Sequence, residues 1–303
     1  MLRFQQLGKA LGSDVALTVI VKHESEVGPI FQTLWALITS FEKRFSRFLP
    51  DSELSHFNLN AGRPTPISRQ FHELLISAQK YSNQTDGLYN PFILPSLQQA
   101  GYIGSWPQPD NYNQRLNYSK RQLSDHQQLV IKPTTAHISA ASALDFGGIG
   151  KGYLLDELAD YLEKSGFNNY WLSLGGDIIC NGRDHQAEDW KIGVADAHDD
   201  SIACTTITNH GQRLGVATSG TTIRKGQGWH HIIDPRTGRP AETDVLTATL
   251  AAPSATTADV FAKCLVILGS TSIAKFLETT DYYAVVQTVA QSGKQALQYG
   301  KTP

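Results

Sequence analysis

The stretch from Leu144 to Gly166, LDFGGIGKGYLLDELADYLEKSG, places several glycines and Lys151 directly before a helical pattern. A glycine-rich turn that runs into a helix N-terminus can bind phosphate, because free backbone N–H groups converge there. Two common phosphate motifs do not match. A P-loop requires glycine at the position of Asp145, and a dinucleotide motif requires it at the position of Tyr153. The alternative is a tight turn that places the Asp145 carboxylate near the helix start.

Two adjacent histidines could act in acid–base chemistry. His230 and His231 come directly before a DPRTG turn. Because neighbouring residues on a strand point to opposite faces, at most one of them can face a given site. A neutral imidazole has a pKa suited to a general base near pH 7. A purely structural role is the alternative for either ring.

Other polar residues lie where strands end or helices begin. GGD, residues 175–177, follows one predicted strand, and TSG, residues 218–220, ends another. Asp259 lies three residues after Thr256 in a sequence typical of a helix start. Lys263 follows Asp259 by four residues, so the two side chains share a helix face and could form an ordinary ion pair.

The composition of the 303 residues, 41% hydrophobic and 18% charged, is that of an ordinary globular protein. The formal net charge of −2 argues against a nucleic-acid partner. Its three cysteines are widely spaced, match no metal-binding pattern and favour a reducing compartment. No apolar run reaches the roughly 20 residues of a membrane span, and no signal peptide is recognisable. We therefore expect a cytoplasmic protein.

Hydrophobic spacing outlines the elements that must position these residues. Residues 103–127 are polar and predict a surface excursion. From about residue 128, short β-like runs dominate and do not strictly alternate with helices, which favours an α+β fold over a doubly wound sheet. No repeat, linker or boundary is apparent, so we predict one domain, residues 1–303. The predicted elements are strands at about 15–22 and 282–289 and helices at about 26–45, 69–82, 151–165, 256–268 and 271–279.

Seven stretches, taken in order, resemble the ApbE family of FAD:protein FMN transferases. The resemblance spans about residues 8–288. It implies a T-fold-like α+β domain with mixed, mainly antiparallel sheets and flanking helices. It also implies a transferase that uses FAD and Mg²⁺, moves FMN to a Ser or Thr hydroxyl of an acceptor flavoprotein and releases AMP. The stretches are RFSRFLPDSELSHFN, TDGLYNPFILPSL, LDFGGIGKGYLLD, LSLGGDIICNG, VATSG, HHIIDPRTGRP and ATTADVFAKCLVILG.

Matched motif by motif, the resemblance assigns roles to individual residues. It makes His231 the general base that acts on the acceptor hydroxyl. It makes the backbone carbonyl of Gly148 and the carboxylate of Asp259 ligands of Mg²⁺. The residues that it places beside FAD are Leu11, Phe48, Ala100, Gly101, Tyr102, Asp145, Lys151 and Ile233.

The sequence departs from the family pattern at two positions. Lys263 stands where the family has a threonine that binds the metal, and Asn90 stands where it usually has aspartate. An ammonium group cannot bind Mg²⁺. Either Lys263 turns away and water completes the metal site, or its ammonium replaces the ion. Besides a transferase, the sequence therefore leaves open a non-catalytic FAD-binding protein in which Lys263 displaces the metal, and a Mg²⁺-dependent FAD pyrophosphatase.

Overall fold

The computed structural model describes residues 1–104, 123, 128–289 and 296–303. Most of the predicted excursion at 103–127 lies outside these residues. The chain divides into two compact units, and the prediction of a single domain remains a prediction. Unit 1 comprises Met1–Ser40, Gly150–Gly220 and Thr243–Pro303, and unit 2 comprises Phe41–Ile149 and Thr221–Glu242.

The helices and strands follow one another in mixed order along the chain. A short 3₁₀ helix at Glu24–Glu26 precedes the first α-helix. The α-helices are α1 (Val27–Phe45), α2 (Glu53–Leu59), α3 (Arg69–Gln84), α4 (Leu94–Ala100), α5 (Gly150–Lys164), α6 (Ala255–Leu268) and α7 (Ser270–Leu277). The strands are β1 (Leu2–Ala10), β2 (Ser13–Val21), β3 (Thr65–Pro66), β4 (Val130–Ile131), β5 (Thr135–His137), β6 (Tyr170–Leu174), β7 (Asp177–Asn181), β8 (Lys191–Ala195), β9 (Ala203–Thr208), β10 (Leu214–Gly220), β11 (Lys225–Gly226), β12 (Trp229–His230), β13 (Ile233–Asp234), β14 (Arg239–Pro240), β15 (Val245–Ala252), β16 (Tyr283–Thr288) and β17 (Leu297–Tyr299).

Unit 1 is built on one eight-stranded sheet with the order β1-β2-β6-β7-β10-β15-β16-β17. Every neighbouring pair in this sheet is antiparallel. Helices α5 and α6 pack on one face. On the other face, Leu214 and Val216 of β10 join an apolar cluster with Trp190 and with Ile192 of the β8–β9 hairpin. The alternation of β10 explains both layers, because successive side chains point to opposite faces.

Unit 2 combines helices α2, α3 and α4 with small sheets. The strand pairs are β3-β5-β4, β11-β12 and β13-β14. Four phenylalanines of its aromatic core have edge-to-face ring centroids 5.1 to 6.1 Å apart. Ser52 and Ser68 cap the starts of α2 and α3 through their side-chain oxygens. The four rings are Phe45, Phe57, Phe71 and Phe146.

Antiparallel sheets with helices packed on them confirm the predicted α+β class. Among the residues that the structure describes, no helix is both long and apolar enough to cross a bilayer.

Candidate active site

Helices α5 and α6 of unit 1 approach each other closely at Gly152. A Cβ atom added there would lie 2.5 Å from the carbonyl oxygen of Ala255, so the contact requires glycine. This approach allows the N–H of Gly152 to donate to Oδ2 of Asp259 over 3.1 Å. One turn along α5, the carboxylate of Asp156 accepts from the N–H groups of Ala255 and Thr256 and so caps α6. The two helices thereby fix the position of Asp259.

Two buried aspartates of unit 1 each pair with a lysine. Lys151, at the start of α5, donates to Asp177, the first residue of β7. Lys263 donates to the carboxylate of Asp259, one turn earlier on α6, and lies 3.2 Å from its backbone oxygen. The carboxylate side chains are 3% and 1% exposed, whereas the lysine side chains are 19% and 18% exposed. We call these four residues the lysine–aspartate cluster.

The charges of the lysine–aspartate cluster act on one another. Burial raises the pKa of Asp177, and the ammonium of Lys151 opposes that rise. The carboxylate of Asp259 raises the pKa of Asp177 further, whereas Lys263 lowers it. A buried carboxylate is costly unless a cation lies beside it. The two lysines therefore supply positive charge that partly offsets the cost of burying the two carboxylates.

In unit 2, four of the residues that the sequence assigns to FAD lie together. Phe48, Ala100, Tyr102 and Ile233 pack in one apolar cluster that also contains Trp229. The ring centroid of Tyr102 lies 6.3 Å from that of Phe48 and 6.2 Å from that of Trp229, with 28° between the last two planes. We call these five residues the aromatic cluster. It is apolar and rich in planar rings, a composition common in sites that bind small molecules.

Gly101 turns the chain from α4 into the aromatic cluster. Its φ of 110° lies in the left-handed region that favours glycine. A Cβ atom there would also lie 3.2 Å from Nε1 of Trp229. The N–H of the next residue, Tyr102, donates to the carbonyl oxygen of Leu97 over 2.9 Å and closes the helix end. Gly101 thus sets where the ring of Tyr102 begins.

Arg47 connects the aromatic cluster to Asp145. Its Nε lies 2.9 Å from Oδ2 of Asp145, and the two side chains are only 7% and 6% exposed. The guanidinium carbon lies 4.2 Å from the ring centroid of Phe48 and 4.7 Å from that of Tyr102. Asp145 also accepts from the N–H of Gly147 over 2.7 Å. The Asp145 carboxylate, assigned from sequence to FAD, is therefore the partner of a buried guanidinium.

His231 adopts the tautomer that a general base needs. Its Nδ1 lies 3.2 Å from the carbonyl oxygen of Arg224. A carbonyl oxygen can only accept, so Nδ1 carries the proton and Nε2 carries the lone pair. The imidazole meets the ring of Tyr102 edge to face, with the centroids 6.2 Å apart. The aromatic cluster and the expected base thus lie side by side within unit 2.

His230 uses both ring nitrogens to hold the local backbone. Its Nε2 lies 3.1 Å from the carbonyl oxygen of Ala241, and its Nδ1 accepts from the N–H of Ile232 over 3.3 Å. Burial lowers its pKa. These contacts fit a structural role, in contrast to those of His231.

The other assigned residues lie in turns. Leu11 occupies the β1–β2 turn of unit 1 with φ of 54°, and Gly12 follows with φ of 65°. Two consecutive left-handed residues match a tight hairpin. Gly148 lies in the turn between Phe146 and α5, within unit 2. The roles of Leu11 and Gly148 toward FAD and a metal remain predictions.

The residues present do not fit the Mg²⁺ ion that the family resemblance implies. Mg²⁺ requires near-octahedral oxygen ligands. The carboxylate of Asp259 already accepts from the ammonium of Lys263 and from the N–H of Gly152. Lys263 offers no oxygen where the family has a threonine. Within the described ranges, no three or more His, Cys, Asp or Glu residues are grouped to hold a metal ion.

Sequence reasoning assigned no role to three residues that organise these clusters. Asp177 was visible in the GGD motif, and its position at a strand start was the available signal. Trp229 directly precedes the two histidines, which marked it as a neighbour of the site. Arg47 lies in RFSRF without any pattern that distinguishes it from an exposed arginine. Its partner Asp145 is 98 positions away along the chain, so only the fold reveals the pair.

A family model described as the ApbE family matches residues 11–286. A protein of Klebsiella pneumoniae named FAD:protein FMN transferase is 29% identical over 271 residues, which cover 86% of this chain and 80% of that protein. Proteins of the same name from Vibrio cholerae and Treponema pallidum are 29% and 28% identical. The matches cover 77% and 81% of this chain and 71% and 73% of those proteins.

Solved structures resemble the whole fold. The structure titled Flavin Transferase ApbE from Vibrio cholerae has a TM-score of 0.81 at 23% identity and covers 98% of this chain and 96% of its own. The ApbE protein of Thermotoga maritima has a TM-score of 0.82 at 22% identity, with 96% of each chain covered. These likenesses confirm the expected fold.

Proposed function

The chain belongs to the ApbE family, and we propose that it is an FAD:protein FMN transferase. The observation that carries this proposal is the family match over residues 11–286, joined by relatives of that name that align over 71% to 80% of their own length. FAD is then the substrate, and a flavoprotein is the acceptor. The acceptor group is a Ser or Thr hydroxyl. None of the relatives named above is a pyrophosphatase or a non-catalytic protein by name.

His231 is the proposed general base. Its Nε2 accepts the proton of the acceptor hydroxyl while Nδ1–H stays bonded to the carbonyl oxygen of Arg224. The acceptor oxygen bonds to the phosphorus of the FMN half of FAD, and the bond from that phosphorus to the bridging oxygen breaks. AMP leaves with the bridging oxygen and its electron pair. Histidine's ordinary pKa suits this proton transfer near neutral pH.

The residues assigned to FAD differ in chemistry from one unit to the other. In unit 2, Phe48, Ala100, Tyr102 and Ile233 offer apolar and aromatic surface for the isoalloxazine ring, and Gly101 and Asp145 hold that surface in place. In unit 1, Lys151 offers positive charge for the diphosphate, and Leu11 stays a proposed contact. Phosphoryl transfer depends on positioning and charge neutralisation, so these binding groups bear directly on the rate.

Mg²⁺ has no step in this proposal, because the group around Asp259 does not fit it. Gly148 and Asp259 remain the positions where the family resemblance expects the ion. A cytoplasmic location remains a prediction. None of the three cysteines, Cys180, Cys204 and Cys264, forms a disulfide.

The test is transfer of flavin to an acceptor protein. The chain is incubated with FAD and a flavoprotein that carries a Ser or Thr acceptor, once with EDTA and once with Mg²⁺. The products are denatured, separated by electrophoresis and read for flavin fluorescence on the acceptor band. We expect a fluorescent acceptor band and one AMP released per flavin bound. An acceptor whose hydroxyl residue is changed to alanine is the matched control and stays dark.

The same assay separates the transferase from the other two activities that the sequence leaves open. AMP release that needs no acceptor would indicate a pyrophosphatase. FAD binding without labelling of any acceptor in either buffer would indicate a non-catalytic protein. Either result would exclude the proposed transferase.

A further inference from the structure

We infer that the ammonium of Lys263 is the resident cation beside Asp259, and that this chain binds the diphosphate of FAD without a divalent metal ion. The inference rests on the proposed function for the identity of the ligand. The inference is compatible with a catalytic protein, because the Lys263 ammonium supplies the positive charge that the diphosphate needs.

The first support is the position of the Lys263 ammonium. It contacts the carboxylate of Asp259 and lies 3.2 Å from the backbone oxygen of the same residue. Both contacts join residues four positions apart on α6, the spacing at which side chains on one helix face meet. The side chain of Asp259 is 1% exposed, so the paired ammonium is itself held at a buried carboxylate.

The second support is that Asp259 has its other oxygen engaged. Its Oδ2 accepts from the N–H of Gly152, and the close approach of α5 to α6 fixes that bond. A metal ion at Asp259 would have to displace Lys263 and then lie close to its ammonium, which would repel it. Lys151 would add to that repulsion, because it directly precedes Gly152, whose N–H donates to the Asp259 carboxylate.

The third support is the charge available to an anionic ligand. Lys151 and Lys263 are 19% and 18% exposed, so part of each side chain stays accessible while its carboxylate is buried. An ammonium carries three N–H donors, and the two contacts of Lys263 with Asp259 use two of them. The third donor can serve a phosphate oxygen. A linked diphosphate, with charge on both phosphates, is the ligand class that two neighbouring ammonium groups suit.

Two readouts other than activity test the inference. The first is the electron paramagnetic resonance signal of free Mn²⁺, recorded with the protein alone and with FAD. For the wild-type chain we expect no loss of that signal. The second is the Kd for FAD, measured by flavin fluorescence in EDTA and in Mg²⁺. For the wild-type chain we expect the two Kd values to agree within about twofold. The loss of one charge-assisted hydrogen bond would change the Kd by more than that.

Three variants sharpen both readouts. Lys263→Thr removes the ammonium and supplies a hydroxyl oxygen, so we expect it to bind Mn²⁺ and to bind FAD about tenfold more tightly in Mg²⁺ than in EDTA. Lys263→Met keeps the length without the charge, so we expect FAD affinity to fall about tenfold in both buffers. Lys275→Met removes an exposed lysine of α7 and is the matched control, with both readouts unchanged.

Mn²⁺ binding by the wild-type chain, lost in Asp259→Asn, would overturn the inference, and so would FAD binding that depends on Mg²⁺. Neither result requires a Lys263 variant, so both stand even where such a variant fails to fold. Metal-independent FAD binding without acceptor labelling would support the inference and exclude the proposed function. Acceptor labelling that requires Mg²⁺, together with Mn²⁺ binding by the wild-type chain, would support the proposed function and overturn the inference. A chain that binds no FAD in either buffer would exclude both.

Discussion

The lysine–aspartate cluster of unit 1 and the Arg47–Asp145 pair of unit 2 both neutralise buried carboxylates, but they use different cations. Lysine is a compact charge on a flexible stem, and its side chains at 151 and 263 stay 19% and 18% exposed. Arginine is planar, and Arg47 lies against two aromatic rings with 7% of its side chain exposed. The difference shows which charges can turn to an anionic ligand and which serve the protein's own packing.

The largest expected effect tests whether the chemistry belongs to unit 2. Replacing His231 with alanine removes the proposed base, so FMN transfer should slow by about 10²- to 10⁴-fold. The Kd for FAD should change by less than about twofold, because the imidazole of His231 does not supply the positive charge that binds the diphosphate. The imidazole contacts the ring of Tyr102 only edge to face. A time course of acceptor labelling gives the rate of FMN transfer, and fluorescence titration gives the Kd for FAD. Transfer at the wild-type rate would remove His231 from the mechanism.

The next effect concerns the arginine side of the comparison. Arg47→Met leaves the buried carboxylate of Asp145 without its partner, which should lower the free energy of unfolding by about 3–5 kcal/mol. The double variant Arg47→Met, Asp145→Asn removes the uncompensated charge and should recover part of that loss. Urea unfolding followed by tryptophan fluorescence measures both. If Arg47→Met were as stable as the wild type, Arg47 would not stabilise the fold through Asp145.

A smaller effect is expected on the lysine side. Lys151→Met should cost about 1–3 kcal/mol, less than Arg47→Met, because burial raises the pKa of Asp177 and the carboxyl can take up a proton. A raised pKa in the folded state means that the folded variant binds more protons than the unfolded chain. The difference in free energy of unfolding between the variant and the wild type should therefore become smaller as the pH falls. Urea unfolding across a pH series measures this difference. A difference that grows toward low pH would contradict the pairing of Lys151 with Asp177.

The smallest effect separates the two histidines. Burial lowers the pKa of His230, so the unfolded chain protonates this ring first and wild-type stability declines as the pH falls through about 6.5. His230→Gln removes the titrating group, so its melting temperature should decline less over the same interval. Melting curves at several pH values measure this difference. If the melting temperatures of the two proteins declined equally, His230 would not contribute to the pH dependence of stability.

Much of the fold follows from periodic apolar residues. The predicted helices at 26–45, 69–82 and 256–268 match α1 (Val27–Phe45), α3 (Arg69–Gln84) and α6 (Ala255–Leu268) closely, because each buries one regular face or is buried throughout. β1 (Leu2–Ala10) was not predicted. It is an edge strand with mostly exposed residues, so it pairs through its backbone with β2 and carries little apolar signal.

The short helices were missed for a different reason. α2 (Glu53–Leu59) and α4 (Leu94–Ala100) have seven residues each, too few to show a full apolar repeat. Pro95 stands in the first turn of α4, a position that proline tolerates.

The candidate site could be predicted only by type of residue. The resemblance marked Asp259 and the unusual Lys263, and helical spacing indicated that the two could pair. The Lys151–Asp177 pair joins a helix start to a strand start 26 positions away. That contact depends on how α5 packs against β7, which spacing along the sequence does not contain.

The strand order of unit 1 has a consequence for synthesis of the protein. β1 and β2 stand at one side of the eight-stranded sheet, β15, β16 and β17 stand at the other, and the last of these ends at Tyr299. On the ribosome, the N-terminal hairpin therefore emerges long before the strands that complete its sheet. Residues 41–149, most of unit 2, emerge as one uninterrupted stretch. Nascent chains should gain protease resistance in unit 2 first, and in unit 1 only once β17 has emerged from the ribosome.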